Sequence, residues 1–257
     1  MERRDFIGAA AVAGAGLMAA DCAKAAGEEL QFIEMREYSI LSRDYKQAIN
    51  GYLGEALVPA LNRIGLKPVG VLSPSYGSDS NTYHVIIPHN SCETALNLHQ
   101  QLLDDAQFSK DAAGVLGAPS GEAGYVRIKS SLLRSFAGCP KIEAPDTSKG
   151  RIFELRRYES HNIQAGKTKV RMFNEGEIAV FRKTGLTPVL FAETLIGDRM
   201  PNLTYMLTFA DMAERDANWK QFVSHPDWKA MAADKQYKDT VSNISDTILK
   251  PAGYSQI

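Results

Sequence analysis

Two stretches of the sequence place a glutamate, an arginine and a tyrosine at alternate positions. They are Glu34, Arg36 and Tyr38, and Glu154, Arg156 and Tyr158. Alternate residues of a β-strand lie on one face of the sheet, so each stretch groups a carboxylate, a guanidinium and a phenol. Such an arginine can stabilise a developing anion, and such a tyrosine can transfer a proton. Because buried charges need partners, this face predicts either paired charges or a bound ligand.

Two further polar residues are expected on neighbouring strands. His84 shares the face of the two groups if Tyr83, Val85 and Ile87 pack on the helices, and Glu193 is expected to join it. The candidate ligand-binding residues are Glu34, Arg36, Tyr38, His84, Glu154, Arg156, Tyr158 and Glu193. Within this set, the catalytic candidates are Arg156, Tyr158 and His84. A structural interpretation stays open, in which the glutamates and arginines form a salt-bridged ladder and the histidine is a hydrogen-bonded core residue.

Other chemistries lack their sequence signals. The chain contains no HExxH, paired CxxC, GxSxG or GxxxxGK[ST] pattern, so zinc protease, zinc ribbon, serine hydrolase and P-loop functions have no support. Its five histidines follow no metal-ligand spacing, and nothing argues for a metal. The 29 basic and 30 acidic residues give a net charge of −1, which argues against nucleic acid or a membrane surface as the main partner.

The two polar stretches belong to a longer internal repeat. Positions 34 and 154 are 120 residues apart, and the same offset relates a Gly-Leu-x-Pro-Val string at 65–69 to its copy at 185–189. A shared offset over two separate blocks indicates a duplicated domain.

Each copy reads as strand, helix, strand, strand, helix, strand. In the first copy the predicted elements are strand 32–38, helix 44–64, hairpin strands 68–72 and 82–87, a helix from 91 and a strand within 125–136. In the second they are strand 152–158, helix 167–183, hairpin strands 188–196 and 202–209, a helix from 212 and a strand at 244–249. Pro59 is expected to kink the first helix, Gly65 and Gly185 to end helices, and Ser224 to cap a helical turn. Trp219, Phe222 and Trp228 are expected to form helical core.

This order predicts an α+β fold in which two ferredoxin-like βαββαβ units face each other as an intramolecular barrel. The predicted domains are 28–137 and 150–257, joined by a linker rich in Pro and Gly. We expect Ile33, Met35, Phe153 and Leu155 to pack on the helices, which places the polar groups inside the barrel.

The first 25 residues are typical of a twin-arginine export signal. Arg3 and Arg4 precede a short run of small apolar residues, and a small-x-small cleavage site follows at 23–25. A lipidated Cys22 is the alternative. Export predicts a periplasmic or secreted protein, with membrane contact only through the signal. Cys92 and Cys139 then form either one disulfide or two free thiols.

Residues 150–257 resemble a NIPSNAP domain. The similarity rests on Phe153 to Tyr158, Phe173 to Glu175, Gly185, Leu186, Pro188, Asn202, Arg215, Asp227, Trp228, Leu249, Pro251, Tyr254 and Ser255. The first half is a degenerate copy without counterparts of Trp219 and Trp228. The resemblance implies the dimeric α+β barrel superfamily, which includes cofactor-independent monooxygenases, haem-degrading enzymes, lyases and isomerases.

Three functional hypotheses follow. The leading one is a small apolar or aromatic ligand bound between the two sheets, with the second copy's Glu-Arg-Tyr group as the first place to look. The alternatives are a cofactor-independent monooxygenase, lyase or isomerase, and a protein-interaction module. No motif implies a cofactor, although haem stays open, and a homo-oligomer through the barrel or outer helices is possible.

Overall fold

The computed structural model describes residues 29–42, 45–75 and 81–257. Within them the strands are β1 Phe32–Ser39, β2 Gly70–Pro74, β3 Thr82–His89, β4 Arg127–Ser135, β5 Ile152–Glu159, β6 Thr187–Ile196, β7 Asn202–Phe209 and β8 Asn243–Pro251. The helices are α1 Lys46–Gly51, α2 Val58–Arg63, α3 Cys92–Asp104, α4 Ala106–Asp111, α5 Ala113–Leu116, α6 Ile163–Met172, α7 Ile178–Lys183, α8 Met212–Ser224 and α9 Pro226–Ala233. A 3-10 helix, Lys235–Tyr237, follows α9. π-Helical stretches join α1 to α2 (Tyr52–Leu57) and α6 to α7 (Phe173–Glu177).

The strands close into one barrel in the order β1-β3-β2-β8-β5-β7-β6-β4. The first repeat, residues 32–135, supplies four adjacent strands with β1 and β3 in the centre. The second repeat, residues 152–251, supplies the other four with β5 and β7 in the centre. Antiparallel pairs β2–β8 and β4–β6 join the two sheets. The predicted α+β architecture is therefore confirmed, and closure removes the exposed sheet edges.

The offset of 120 extends through matching elements of the two repeats. β1 and β5, β3 and β7, and α3 and α8 have bounds that differ by 120 at both ends. Side chains can therefore be compared position by position between the repeats.

Both predicted glycine stops are confirmed. Gly65 and Gly185 have φ angles of 82° and 77°, a region that favours glycine because it has no Cβ. The amides of Leu66 and Leu186 then bond to carbonyl oxygens five residues earlier.

One expectation about helices needs correction, and one stays a prediction. Pro59 lies in α2 just after a π-helical stretch, the second repeat has such a stretch with Ala179 at the matching position, and the kink at Pro59 stays a prediction. Ser224 is the last residue of α8, and His225 is the residue that caps α9, through its Nδ1 and the amide of Asp227.

The buried apolar residues form three clusters, and they correct the predicted strand faces. Ile33 and Phe153 lie between the two sheets, with Met35 and Leu155 packed beside them. Tyr38 and Tyr158 lie instead between their sheets and the helices. The alternation of the strands was predicted correctly, but the faces were assigned the wrong way round. Two-residue periodicity separates the faces of a strand without telling which face meets the helices.

The predicted signal segment, including Cys22, lies outside the described residues. In the part of the chain that the structure describes, no helix is long and apolar enough to cross a membrane. Cys92 and Cys139 are separate thiols.

Candidate functional site

The polar group of the first repeat lies beneath its helices and is held by Glu34. Arg36 donates from Nε and Nη2 to the two oxygens of Glu34 at 2.6 and 3.0 Å. Ser130 Oγ donates to Glu34 Oε1 at 2.6 Å, and His89 Nε2 lies 3.3 Å from Oε2. Glu34 and Arg36 are 6% and 2% exposed. The network pairs the buried charges, as the structural interpretation of the sequence required.

Burial acts to raise the pKa of Glu34, but the bonds from His89, Arg36 and Ser130 together lower it to about 2. For Arg36, burial acts to lower the pKa, and the neighbouring Tyr38 and Glu34 outweigh it and raise it. The pair is therefore fully ionised across the physiological range.

A pocket of about 120 Å³ lies next to this pair, between the sheet and the helices of the first repeat. Its walls are Arg36, Tyr38, Tyr52, His99, Leu102, Leu103, Phe108, Leu116, Tyr125 and Ile128. Leu103 and Leu116 are 57% and 42% exposed and form its rim. The volume resembles that of engineered apolar cavities that hold a single benzene ring.

Tyr38 is one of the lining residues of this pocket, and its hydroxyl is buried without a partner among the described residues. Tyr38 is completely buried, and its oxygen makes no hydrogen bond to any described residue. Native proteins leave few buried polar atoms unpaired, so a buried hydroxyl without a partner beside a cavity calls for a ligand group or a water molecule. Tyr125 packs edge-on against the Tyr38 ring at 5.2 Å between centroids, which holds the hydroxyl in place.

The other polar groups of the pocket are neutral at physiological pH. Burial and the nearby Arg36 lower the pKa of His99, partly offset by Glu34. Burial and neighbouring tyrosines raise the pKa values of Tyr52 and Tyr125. Arg36 is thus the cation among the lining residues of this aromatic pocket, and the adjacent carboxylate of Glu34 balances its charge.

The polar group of the second repeat is also held by its glutamate, although the buried Nε of Arg156 has no partner among the described residues. Glu154 is fully buried and accepts hydrogen bonds from Arg156 at 2.8 Å, from Arg215 at 2.7 and 3.0 Å, and from Trp219 Nε1 at 2.6 Å. Burial acts to raise the pKa of Glu154, and these bonds lower it. Arg156 also lies 4.8 Å from the centroid of the Trp219 ring.

Aromatic rings fill the space that is open in the first repeat. Tyr205 donates to the hydroxyl of Tyr158 at 2.9 Å, so this phenol has a partner. Phe173 packs against both tyrosines. Trp219 and Phe222 are confirmed as helical core, with Trp228 packed on them.

Position-by-position comparison explains the pocket. The counterparts of Tyr205, Trp219, Phe173 and Phe191 in the first repeat are Val85, His99, Leu53 and Val71. Each is smaller, and Val85 lacks the hydroxyl that would bond to Tyr38. The pocket residues Tyr52, His99 and Tyr125 were missed by the sequence reasoning. The replacement of Trp219 by His99 at the repeat offset was the signal that could have revealed them.

The two remaining candidates lie apart from these groups. His84 faces the barrel interior, as predicted, while Tyr83, Val85 and Ile87 pack on the helices. Glu193 lies outside the barrel, where Lys167 and Arg134 donate to it. Among the described residues, no group of His, Cys, Asp and Glu could hold a metal ion.

A second cavity lies between the sheets, at one end of the barrel. Its two adjoining compartments, of about 280 and 360 Å³, share Glu37, Lys129, Arg157, Asp198 and Thr204. The space between the sheets is therefore polar at this end, whereas the expected ligand there was apolar or aromatic.

Comparison with known proteins supports the fold and one family. Residues 153–256 match the family model described as NIPSNAP. The sequence matches none of the curated proteins.

Several solved structures resemble the whole barrel. A candidate monooxygenase from Lactobacillus acidophilus NCFM is 12% identical, with a TM-score of 0.59, and the match covers 87% of this chain and 94% of the other. An anthrone oxidase-like protein is 8% identical, with a TM-score of 0.55 and coverage of 88% and 93%. A third structure, a NIPSNAP-like domain protein from Burkholderia xenovorans, matches a part of the chain: it is 19% identical, and the match covers 41% of this chain and 88% of the other, with a TM-score of 0.38. The first two show that the tandem α+β barrel occurs in other chains of similar length.

Proposed function

We propose that this protein, which carries a NIPSNAP domain at residues 153–256, binds a small single-ring phenol between the sheet and the helices of its first repeat. The observation that carries the proposal is an aromatic pocket lined by Arg36, which is paired with Glu34, and by Tyr38, whose buried hydroxyl has no partner among the described residues. The proposal keeps the predicted aromatic ligand and moves it from the barrel interior to the space under the helices.

The pocket's chemistry favours a phenol that ionises easily. Arg36 favours a phenolate oxygen over a neutral one, and Tyr38 supplies a hydroxyl donor to the same oxygen. Tyr52, Tyr125 and Phe108 supply ring faces and edges to an aromatic body. The rim leucines leave an apolar path for entry.

Binding is tested with para-nitrophenol, whose colour reports its ionisation. The full chain should bind it in spectrophotometric titrations and lower its apparent pKa, because Arg36 stabilises the phenolate. Cyclohexanol, of similar size but not aromatic or acidic, should bind at least tenfold more weakly, a difference of about 1.4 kcal/mol. Equal binding of the two compounds, or an unshifted pKa of the bound phenol, contradicts the proposal.

Two variants locate the site without breaking the Glu34–Arg36 pair. Tyr38→Phe removes only the orphan hydroxyl, and His99→Trp introduces the second repeat's residue into the pocket. Both should weaken binding of para-nitrophenol, His99→Trp the more strongly because it fills the space. The matched control is Tyr158→Phe, the same change at the corresponding residue of the second repeat, which should leave binding unaltered. Loss of binding in the control alone would place the site in the second repeat.

The purified protein also provides a direct check on what it carries. Mass spectrometry under non-denaturing conditions should reveal a single-ring compound or an empty pocket that takes up para-nitrophenol. A haem absorbance band in the protein as purified would contradict a pocket built for one ring.

The second candidate function is cofactor-independent oxidation of such a ligand. Its support is the neutral His99, a potential proton acceptor, in the same pocket as the Arg36 cation, together with the oxidase and monooxygenase names of the barrel's structural neighbours. An activated CH2 group and O2 would give a carbonyl and one water, so atoms and electrons balance without a cofactor. His99 would accept the substrate proton, and Arg36 would hold the resulting oxyanion.

Oxygen consumption with a panel of phenols that carry an activated CH2 group tests this function. His99→Gln should lower turnover more than it weakens binding. The earlier catalytic candidates Arg156, Tyr158 and His84 stay predictions, and the internal bonds of Arg156 and Tyr158 favour a structural role for those two. Undiminished turnover in His99→Gln would remove its role as a base.

A further inference from the structure

We infer that the polar end of the barrel is a second binding site, for a small hydroxylated carboxylate. It lies between the two sheets and is separate from the pocket under the helices. The ends of β1 and β5 and the starts of β3, β4, β7 and β8 surround it. The inference does not depend on the proposed phenol site.

The barrel interior changes character along its length. At one end, Ile33, Leu72, Phe153, Met206 and Leu249 pack together between the sheets without exposure to solvent. At the other end, the same strands present Glu37, Arg157 and Thr204 to a cavity whose larger compartment is about 360 Å³. Dense apolar packing does not explain the residues at this end of the barrel. The apolar alternation of the strands stops there, and the space between the sheets stays open.

The cavity wall carries hydroxyls that the protein itself does not use. Thr82, Ser131, Thr204, Ser245 and Thr247 line the two compartments, and the side chains of these residues make no hydrogen bond to any described residue. Thr204 is only 2% exposed. Hydroxyls both donate and accept, so a wall of this kind suits a ligand that also carries hydroxyls.

Arginine donors, and not net charge, suit this cavity to an anion. The wall carries the cations Lys129, Arg157 and Arg199 and the anions Glu37 and Asp198, and Glu159 outside it pairs with Arg199 at 3.6 Å. Arg157 has a single ion pair among the described residues, at 3.3 Å to Asp198, and its side chain is 23% exposed. Its remaining guanidinium donors are available to a carboxylate, which arginine binds in a two-pronged geometry.

The remaining contacts define the ligand's shape. Lys129 lies 4.0 Å from Glu37, a distance too long for a hydrogen bond, so this pair can open around a ligand. Met35 and Leu133 form an apolar floor, and His84 lies at the wall. The site therefore fits a short chain with a carboxylate at one end and hydroxyl groups along it.

Isothermal titration calorimetry of the full chain with three probes tests the inference. Tartrate carries carboxylates and hydroxyls, succinate lacks the hydroxyls, and erythritol lacks the carboxylates. Tartrate should bind at least tenfold more tightly than either of the others, and its affinity should fall as salt is added. Absence of tartrate binding, or equal binding of succinate or erythritol, overturns the inference.

Variants assign the binding to this cavity. Arg157→Met should weaken tartrate at least tenfold, because a charge-assisted bond is lost. Thr204→Val combined with Thr247→Val keeps the side-chain shapes and should weaken tartrate severalfold. The controls are Arg171→Met and Thr187→Val, exposed positions outside the cavity, and both should bind like the parent. Thermal unfolding of each variant checks that it is folded.

Unchanged tartrate binding in both cavity variants would overturn the assignment. The phenol site is tested separately by measuring para-nitrophenol binding, which should be the same in the parent and in Arg157→Met. Loss of tartrate binding with retained phenol binding therefore separates failure of one site from failure of the other.

Discussion

The two repeats share a backbone plan and differ in what lies beneath their helices. In the second, Tyr205, Trp219 and Phe173 fill the space and bond to the Glu-Arg-Tyr group. In the first, smaller residues at the same positions leave a pocket and an unpaired Tyr38 hydroxyl. The same polar triplet thus lies among packed aromatic rings in one copy and borders a pocket in the other.

The family resemblance and the candidate site lie in different repeats. The NIPSNAP match covers residues 153–256, the copy in which the space is filled. The open pocket lies in the copy that carries little of the family pattern. Duplication allows this division, because one repeat can stabilise the barrel by dense packing while the other gives up packing for a cavity.

The largest expected loss of stability comes from a change at Glu154. Glu154→Leu leaves Arg156, Arg215 and Trp219 without their shared acceptor, and we expect a loss of roughly 3–5 kcal/mol in the free energy of unfolding. Urea denaturation measures it. A loss below about 1 kcal/mol would show that the hydrogen-bond network around Glu154 contributes little to stability, since that is the range of exposed ion pairs.

The buried carboxylate of the first repeat predicts a dependence on pH. The pKa of Glu34 falls from 4.5 to about 2 on folding, so its contribution is complete above pH 4.5 and is lost as the pH falls toward 2. The shift corresponds to roughly 3 kcal/mol. Urea midpoints measured between these pH values should fall more steeply for the parent than for Glu34→Gln. Parallel curves would contradict the prediction.

The filled space of the second repeat can be opened by giving it a residue of the first repeat. Trp219→His copies the first repeat's His99, leaves a cavity against Phe181 and Phe222, and removes one bond to Glu154. We expect a loss of about 2 kcal/mol, below the range for tryptophan to alanine because histidine keeps part of the volume. The reverse change, His99→Trp, should not destabilise by this amount. Equal losses in the two variants would indicate that the first repeat has no spare space.

The smallest expected effect compares the two tyrosines. Tyr158→Phe breaks its bond with Tyr205 and should cost about 1 kcal/mol, because the Tyr205 hydroxyl is left buried without a partner. Tyr38→Phe removes a hydroxyl that has no partner among the described residues, and should be neutral or stabilising. Thermal or urea unfolding of the two variants side by side checks the difference. A larger loss at Tyr38 would show that its hydroxyl has a partner in solution.

Much of the fold could be predicted because it follows from local patterns. The offset of 120 predicted the duplication, the alternation of residues 32–38 and 152–158 predicted the strands, and Gly65 and Gly185 marked the helix ends. These features depend on neighbours in sequence, through sterics and periodicity. The candidate site was harder to predict, since it depends on which side chains that are distant in sequence come into contact.

The sequence by itself determined the two-fold repeat, the order of the elements and the identity of the polar triplets. Only the tertiary structure decided which face of each strand meets the helices, because both sheet faces are buried in a closed barrel and alternation alone cannot distinguish them. It also decided that Tyr38 borders a pocket while Tyr158 bonds to Tyr205 and packs against Phe173. That difference arises from residues 47 positions away, Val85 and Tyr205, which contact the tyrosines only when β3 and β7 pair with β1 and β5.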